Sequence, residues 1–407
     1  MHKNILILLI LIPIVCYGQS HRLFTTDQHL SSSLINSIYE DSKGMIWIAT
    51  EDGLNRYDGS KVSIYKHNTD NENSLAHNYV CAIFEDSHGN LFIGSYGGLQ
   101  LYNYAEDNFS PIATLDGKPF HYNVSSFVER QDGELWVLGD YLSTVTINDK
   151  RQPIIKKIDV DIPIESSSYM IEDDDNNIWI SRGEGVYQIL TINGELRCKA
   201  HKLDASVCLC KDDNGNIYAG SLHKGLHIFD PKNETFINIP YIGNQTLPVK
   251  HLFPINAEEI LLSTDGKGVK IYNTRTKAYS DYVFDKSNFG SNTLKVHFAM
   301  RDRDENLWFA LYQKGVAMIP KASNGFGYIG YKSIKDNIIG TCCITSLYRG
   351  EKGTLWVGTD NDGIYGLTPD NQLQIHYAPS ETPNSVAAII MTVHEDSEGN
   401  LWYGSFI

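Results

Sequence analysis

A phrase recurs along this chain, and its spacing limits the possible folds more than any local pattern does. The first copy, INSIYEDSKGMIWIATEDGLNRYDG, covers residues 35–59; the second, VCAIFEDSHGNLFIGSYGGLQLY, starts at Val80. Aligned on the position held by tryptophan in the best copies, the residues are Trp47, Phe92, Trp136, Trp179, Tyr218, Leu261, Trp308, Trp356 and Trp402. The steps between them are 45, 44, 43, 39, 43, 47, 48 and 46 residues. Nine copies at this period indicate a repeat architecture before any single element is assigned.

The better copies share one grammar. Residues 35–39 read as a first, mostly apolar strand. Asp41-Ser42-Lys43-Gly44 reads as a tight turn whose Asp accepts a backbone N–H and whose Gly takes positive φ. Residues 45–50, 54–57 and 62–65 read as three more strands, separated by the turns Asp52-Gly53 and Asp58-Gly59. Four short antiparallel strands in each period make one propeller blade, whose two faces are covered only when blades stack around an axis. The aligned aromatic is read as the filler of the wedge between blades, because Leu261 occupies the same place. Three copies are irregular: Asp140-Tyr141-Leu142 lacks the turn glycine, Asn177 is read in place of a glycine, and the sixth copy shortens its turn at Glu258-Glu259-Ile260.

The expected fold is therefore all-β: a seven-bladed β-propeller of four-stranded antiparallel blades, plus the first blades of a second propeller. The ring is assigned to residues 19–335 and the incomplete second propeller to 336–407. Residues 22–26 can close the ring as the outer strand of blade seven, with 326–331 as the competing segment. Stopping inside a repeat, the chain reads as a piece of a longer protein.

Residues 1–18 have the makings of a secretory signal peptide. Lys3 precedes an 11-residue apolar run at 5–15, and Cys16 and Gly18 are small residues before Gln19. The run is short for a membrane span, which needs about 20 residues. Six cysteines follow, namely Cys81, Cys198, Cys208, Cys210, Cys342 and Cys343, and the reading favours free thiols over a disulfide. The formal charge is -15, from 34 Lys and Arg against 49 Asp and Glu, with no basic block. That balance argues against direct nucleic-acid binding.

No residue is assigned to catalysis, to a cofactor or to a metal. The acid-rich turn Asp173-Asp174-Asp175-Asn176-Asn177 lacks the glycine that a calcium loop needs at its sixth position, where Ile178 stands. The 14 histidines show no His-Glu-x-x-His spacing, and Gly94-Ser95-Tyr96-Gly97-Gly98 reads as an inter-strand turn rather than a phosphate loop. A sugar, if bound, is expected at exposed aromatics and amides in turns near the axis or between propellers.

The segments EDSKGMIWIATEDGLNRYDG at 40–59, EDSHGNLFIGSYGGLQLY at 85–102 and GTLWVGTDNDGIYGL at 353–367 resemble the two-component regulator propeller repeat. The lead-in FTTDQHLSSSLINSIYEDSKG at 24–44 is similar to the start of the sensor half of Bacteroides-type hybrid two-component systems. The resemblance implies a periplasmic sensor region whose parent is an inner-membrane hybrid histidine kinase, able to form a homodimer and linked by phosphorelay to a regulator. It implies recognition of an oligosaccharide and control of glycan-utilisation genes through parts that this chain does not contain. It implies no enzymatic activity for the chain itself. A non-catalytic protein-interaction scaffold, or a secreted propeller glycan lyase or hydrolase, stands as the alternative.

Overall fold

The computed structural model describes residues 22–28, 30–147, 152–163, 168–282, 284, 293–321, 329, 338–340, 342–382 and 385–406. The expected signal peptide at 1–18 lies outside the described residues, as does the competing segment 326–331 apart from Ile329. Two compact units result, Arg22–Lys321 and a second whose described residues begin at Ile329.

The first unit contains seven sheets, each with an antiparallel set of four strands. The first six span 35–65, 80–111, 124–157, 168–202, 206–239 and 249–281. The seventh joins three strands of 296–319 to Arg22–Phe24. In that sheet Arg22, Leu23 and Phe24 pair with Met318, Ala317 and Val316. Each blade's first strand contacts the first strand of the next, from Ile35–Glu40 round to Val296–Arg301 and back to Ile35–Glu40. The sheets therefore form a closed ring of seven blades, whose last blade takes its outer strand from the start of the ring. Phe24 anchors that strand, buried between the rings of Tyr57 (4.9 Å) and Trp308 (5.5 Å).

The core lies between blades rather than inside any one of them. Trp47, Leu54 and Ala49 of blade one pack with Val80, Ile83, Leu91 and Ile93 of blade two, and six similar clusters repeat this around the ring. Period-2 alternation supplies one face of each strand to each neighbouring blade. All six tryptophans of the chain occupy the aligned position, and the four in the ring are 0–3% exposed.

Local details refine the sequence reading. In the fourth copy the residue in the left-handed region is Asn176 (φ 61), which aligns with Gly44 (φ 80), and not Asn177. Asn177 instead gives its side-chain amide to Asp173 at 2.9 Å. Blade three carries a fifth strand: Ala113–Thr114 pairs in parallel with Pro153–Lys157. The longer connection between blades two and three folds over a turn at Asp116-Gly117 and adds this strand to the edge. The shortened turn of the sixth copy is a hairpin in which Asn256 pairs with Glu259.

The second unit repeats the design. Ile344–Arg349, Leu355–Thr359, Ile364–Leu367 and Leu373–Tyr377 form one complete blade, and Ile390–Glu395 with Leu401–Ser405 forms a hairpin beside it. The two first strands are in contact. Thr345 donates its hydroxyl to the Ile390 carbonyl, as Asn36 donates to the Val80 carbonyl (2.7 Å) in the ring.

Candidate functional site

At one end of each blade, where strand one turns into strand two, side-chain carboxylates hold the structure together. Asp41 accepts the amides of Lys43 and Met45 through one oxygen, both at 2.9 Å. Its other oxygen accepts the Trp47 indole N–H (2.7 Å) and the Tyr104 hydroxyl (2.9 Å). Burial, with this bond to Asp41, pushes the Tyr104 phenol well up. The same Asp-to-Trp bond, six residues apart, joins Asp173 to Trp179 and Asp302 to Trp308, each at 2.7 Å. In blade five Tyr218 takes the tryptophan's part and donates to Asp212 at 3.2 Å. Asp173, the first residue of the acid-rich turn, accepts from the Asp175 and Asn177 amides, the Asn177 side chain and Trp179. Its oxygens are thus occupied by the hairpin itself.

A second carboxylate links four of the blades to their predecessors. Glu85 accepts the Ser42 amide and hydroxyl, Glu129 accepts those of Ser87, and Glu172 accepts the Gln131 amide. Glu40 closes the circle by accepting the Arg303 amide (2.7 Å) and pairing with its guanidinium (3.1 Å). Between blades four and five the charges are exchanged, and Lys211 pairs with Asp174 at 2.5 Å. This end is therefore committed to structure.

The opposite end, where strand one begins and strand two finishes, is built differently. Backbone bonds hold it in at least six blades: Glu51, Tyr96, Asp140, Leu222, Asp265 and Tyr312 each donate an amide to a carbonyl just before a first strand. With the main chain so fixed, the side chains of these positions are free to differ. Gly98 shows how closely the chains approach here: at φ 127, an added Cβ would lie 1.9 Å from the Phe120 carbonyl oxygen.

Aromatic side chains gather on this end. Tyr79 and Tyr96 stack at 4.2 Å, Tyr122 and Tyr141 meet edge-on at 4.9 Å, and Tyr312 lies 4.7 Å from the His297 ring. Tyr96, Tyr122 and Tyr312 are exposed. Tyr312 also borders a small cleft of about 50 Å³ at the seam of the ring, between blades seven and one, lined with it by Leu34, Ile35, Glu51, His297 and Leu311. Lys295 pairs with Asp265 at 3.0 Å, and His297 Nε2 lies 3.5 Å from the same carboxylate. Burial would raise the Asp265 carboxyl, but Lys295 and His297 outweigh it and hold it below the ordinary range. Burial, aided by the Lys250 charge, pushes the His297 imidazole below its usual value. Among the described residues, the Glu51 carboxylate accepts one long bond, 3.4 Å, from the Tyr79 hydroxyl.

The other sequence candidates take structural places. Gly94–Gly98 is the turn between strands two and three of blade two, with the Gly97 amide on the Ser95 hydroxyl. The six described cysteines are free thiols. Burial pushes Cys81 and Cys208 up to about 12, so neither is a ready nucleophile at neutral pH. Among the described residues no group of three or more His, Cys, Asp or Glu is placed to hold a metal ion. Glu51, His297 and Tyr312, which the sequence reading did not single out, are brought together from opposite ends of the ring sequence by its closure.

Residues 29–52, 74–97 and 338–361 match the family model described as Two component regulator propeller. A 53-residue stretch is 38% identical to Histidine kinase P4 of Formosa agariphila, covering 13% of this chain and 4% of that one. Among solved structures, the chain is similar to the extracellular domains of two proteins of B. thetaiotaomicron described as hybrid two component systems. One matches at TM-score 0.63 and 22% identity over 96% of this chain and 52% of that domain. The other matches at TM-score 0.59 and 21% identity over 95% and 51%. The chain thus spans about half the length of these domains. A virginiamycin B lyase from Staphylococcus aureus shares the fold at TM-score 0.54 and 12% identity, over 74% of this chain and 99% of the lyase. Two of the matched stretches lie in the ring and the third reaches into the blade that follows it, so three copies of the repeat are similar to the two-component regulator propeller model.

Proposed function

We propose that this chain is the sensing region of a hybrid two-component system, outside the cytoplasm, and that its ligand is an oligosaccharide. The observation that carries this reading is the likeness, over nearly the whole chain, to extracellular domains described as parts of such systems. The short match to a histidine kinase points the same way. The apolar run at 5–15 supports export to the periplasm. The side chains at the open end of the ring support the ligand class: tyrosine faces beside carboxylates suit a molecule with apolar ring faces and many hydroxyl groups. In this reading the ligand's binding energy is passed to a membrane-anchored, dimeric kinase, which controls genes for glycan use through a phosphorelay.

The test is calorimetric titration of the chain with a broad panel of oligosaccharides. Saturable heat with one sugar family is the expected result. A folded protein that binds none of them, yet associates strongly with a protein partner, would replace this reading with that of a scaffold. The likeness to a lyase is one of fold, so catalysis is the second reading, and depolymerisation of a polysaccharide by the chain would favour it.

A further inference from the structure

The described cysteines fall into two groups. Those of the ring are shut away: Cys208 and Cys210 are buried, Cys81 and Cys198 are half-buried, and burial raises all four thiols. Cys342 and Cys343 stand apart in the second unit. They are neighbours in the chain, with Cys343 exposed and Cys342 half-buried. Both precede the first strand of their blade, whose ladder begins with Ile344 opposite Thr359. The pair therefore lies outside the sheet, and the chain bends at Cys342.

The turn between strands two and three of that blade holds the pair. The Cys343 amide donates to Asp360 Oδ1 at 2.9 Å, and the Asp360 amide donates to the Cys343 carbonyl at 3.1 Å. Asn123 and Asp140 make the same reciprocal pair in blade three, at the end of the ring where side chains vary. Loss of water, with the nearby Asp362 and Asp360 charges, raises the Cys342 thiol. The exposed Cys343 thiol is the one that meets a reagent first. A trans peptide joins the two residues, so their Cα atoms are about 3.8 Å apart, short of the about 4.4–6.8 Å usual in a disulfide. Bonding the sulfurs turns that peptide and leaves a strained, easily reduced bond. The peptide that turns carries the Cys343 N–H that Asp360 holds.

We infer that Cys342 and Cys343 are a reversible modification site, oxidised to a disulfide with each other by a small-molecule disulfide, and that oxidation frees the Cys343 amide from Asp360. The Cys343 thiolate attacks one sulfur of the oxidant, forming a mixed disulfide and expelling a thiolate. The Cys342 thiolate then attacks the Cys343 sulfur and expels the second. The two cysteines lose two protons and two electrons, and the oxidant becomes two thiols. The inference rests on the reading of an exported chain only for the supply of oxidant; sugar binding has no part in it.

The experiment equilibrates the full reduced chain with oxidised and reduced glutathione at several ratios. Acid quenching, alkylation and mass spectrometry of the tryptic peptide 336–349, which holds both cysteines and no other, read the product. At oxidising ratios the peptide should be lighter by two hydrogens and take up no alkylating agent, and at reducing ratios both thiols should return. Amide exchange at Cys343 should quicken about tenfold on oxidation, as its bond to a carboxylate is lost. In Cys342→Ser, whose fold circular dichroism checks, the reaction should stop at glutathione on Cys343. Glutathione left on the natural pair as the final product, two chains joined through these cysteines, or two thiols still alkylated at oxidising ratios would overturn the site. Formation of the bond with Cys343 exchange unchanged would overturn the link to Asp360. A free Cys343 in Cys342→Ser would overturn the order of attack. Each of these outcomes leaves the oligosaccharide reading to its own titration.

Discussion

Trp47 and Trp402 occupy the same position in two copies of one repeat, yet their surroundings differ. Each donates its indole N–H to the aspartate six residues before it, at 2.7 Å and 2.8 Å. Each aspartate also holds the turn between strands one and two through backbone amides. Yet Trp47 is 0% exposed and Trp402 is 64% exposed. The hairpin and its Asp–Trp bond are local and form in both places. Burial of the indole comes from a neighbouring blade, and in the ring blade two supplies it. The comparison separates what a repeat makes by itself from what stacking adds.

The largest effect that can break this comparison is truncation of the indole. Trp308→Ala, in the ring and against Phe24, should lower unfolding free energy by about 3–5 kcal/mol, whereas Trp402→Ala should cost about 1 kcal/mol or less. Denaturant unfolding, followed by circular dichroism, reads both. Equal losses would mean that the bond, and not the burial, carries the energy.

Much of this was legible in the sequence. The period placed every blade, and the need to cover blade seven pointed to residues 22–26 for its outer strand, where Arg22–Phe24 is found. The role of the aspartate at the turn was also readable, because a short acceptor followed by a residue at positive φ is a local device. Its second role, holding the tryptophan, was there to be seen in the constant six-residue offset of Asp41, Asp173, Asp302 and Asp396 from their tryptophans. Packing by itself explains an aromatic whose place Leu261 can share, so the offset gains meaning only when the indole N–H is seen on the carboxylate. The glutamates that bind the preceding blade act across 41 to 43 residues and become visible only once blades are stacked. The seam cleft was the least legible. Glu51 and Tyr312 hold equivalent positions in their repeats, but those positions vary in chemistry around the ring, and periodicity says nothing about which variants face each other.

Removing the aspartate gives the next effect. Asp41→Ala strands the Trp47 and Tyr104 donors inside the ring and should cost about 3 kcal/mol, at about 1–3 kcal/mol for each buried donor left without a partner. Asp396→Ala, at the exposed copy, should cost clearly less in the same unfolding experiment. A smaller change is expected at the inter-blade links. Glu40→Gln weakens the contact with Arg303 across the seam and should cost about 1 kcal/mol, because the guanidinium is half in solvent. A loss that shrinks as salt is added would mark it as electrostatic.

The smallest effect is a titration. The Trp402 indole and the turn amides hold the Asp396 carboxyl down at about 2, from an ordinary value of 3.8. A group whose pKa is lowered by folding contributes stability above its unfolded value, and that contribution is lost as pH falls through the folded one. The Trp402 indole N–H resonance should therefore keep its position down to about pH 3 and shift with a midpoint near 2. A midpoint near 4 would show that the bond does not persist when the indole is exposed.

Closure of the ring by its own first strand underlies both the burial of Trp308 and the existence of the seam cleft. Amide hydrogen exchange across the chain tests it directly. Arg22–Phe24 should exchange as slowly as its partner strand Gly315–Ile319, and more slowly than the exposed hairpin Ile390–Glu395 with Leu401–Ser405. Exchange of Arg22–Phe24 at the rate of an unstructured chain end, in a protein whose other ring strands are protected, would contradict the closed ring.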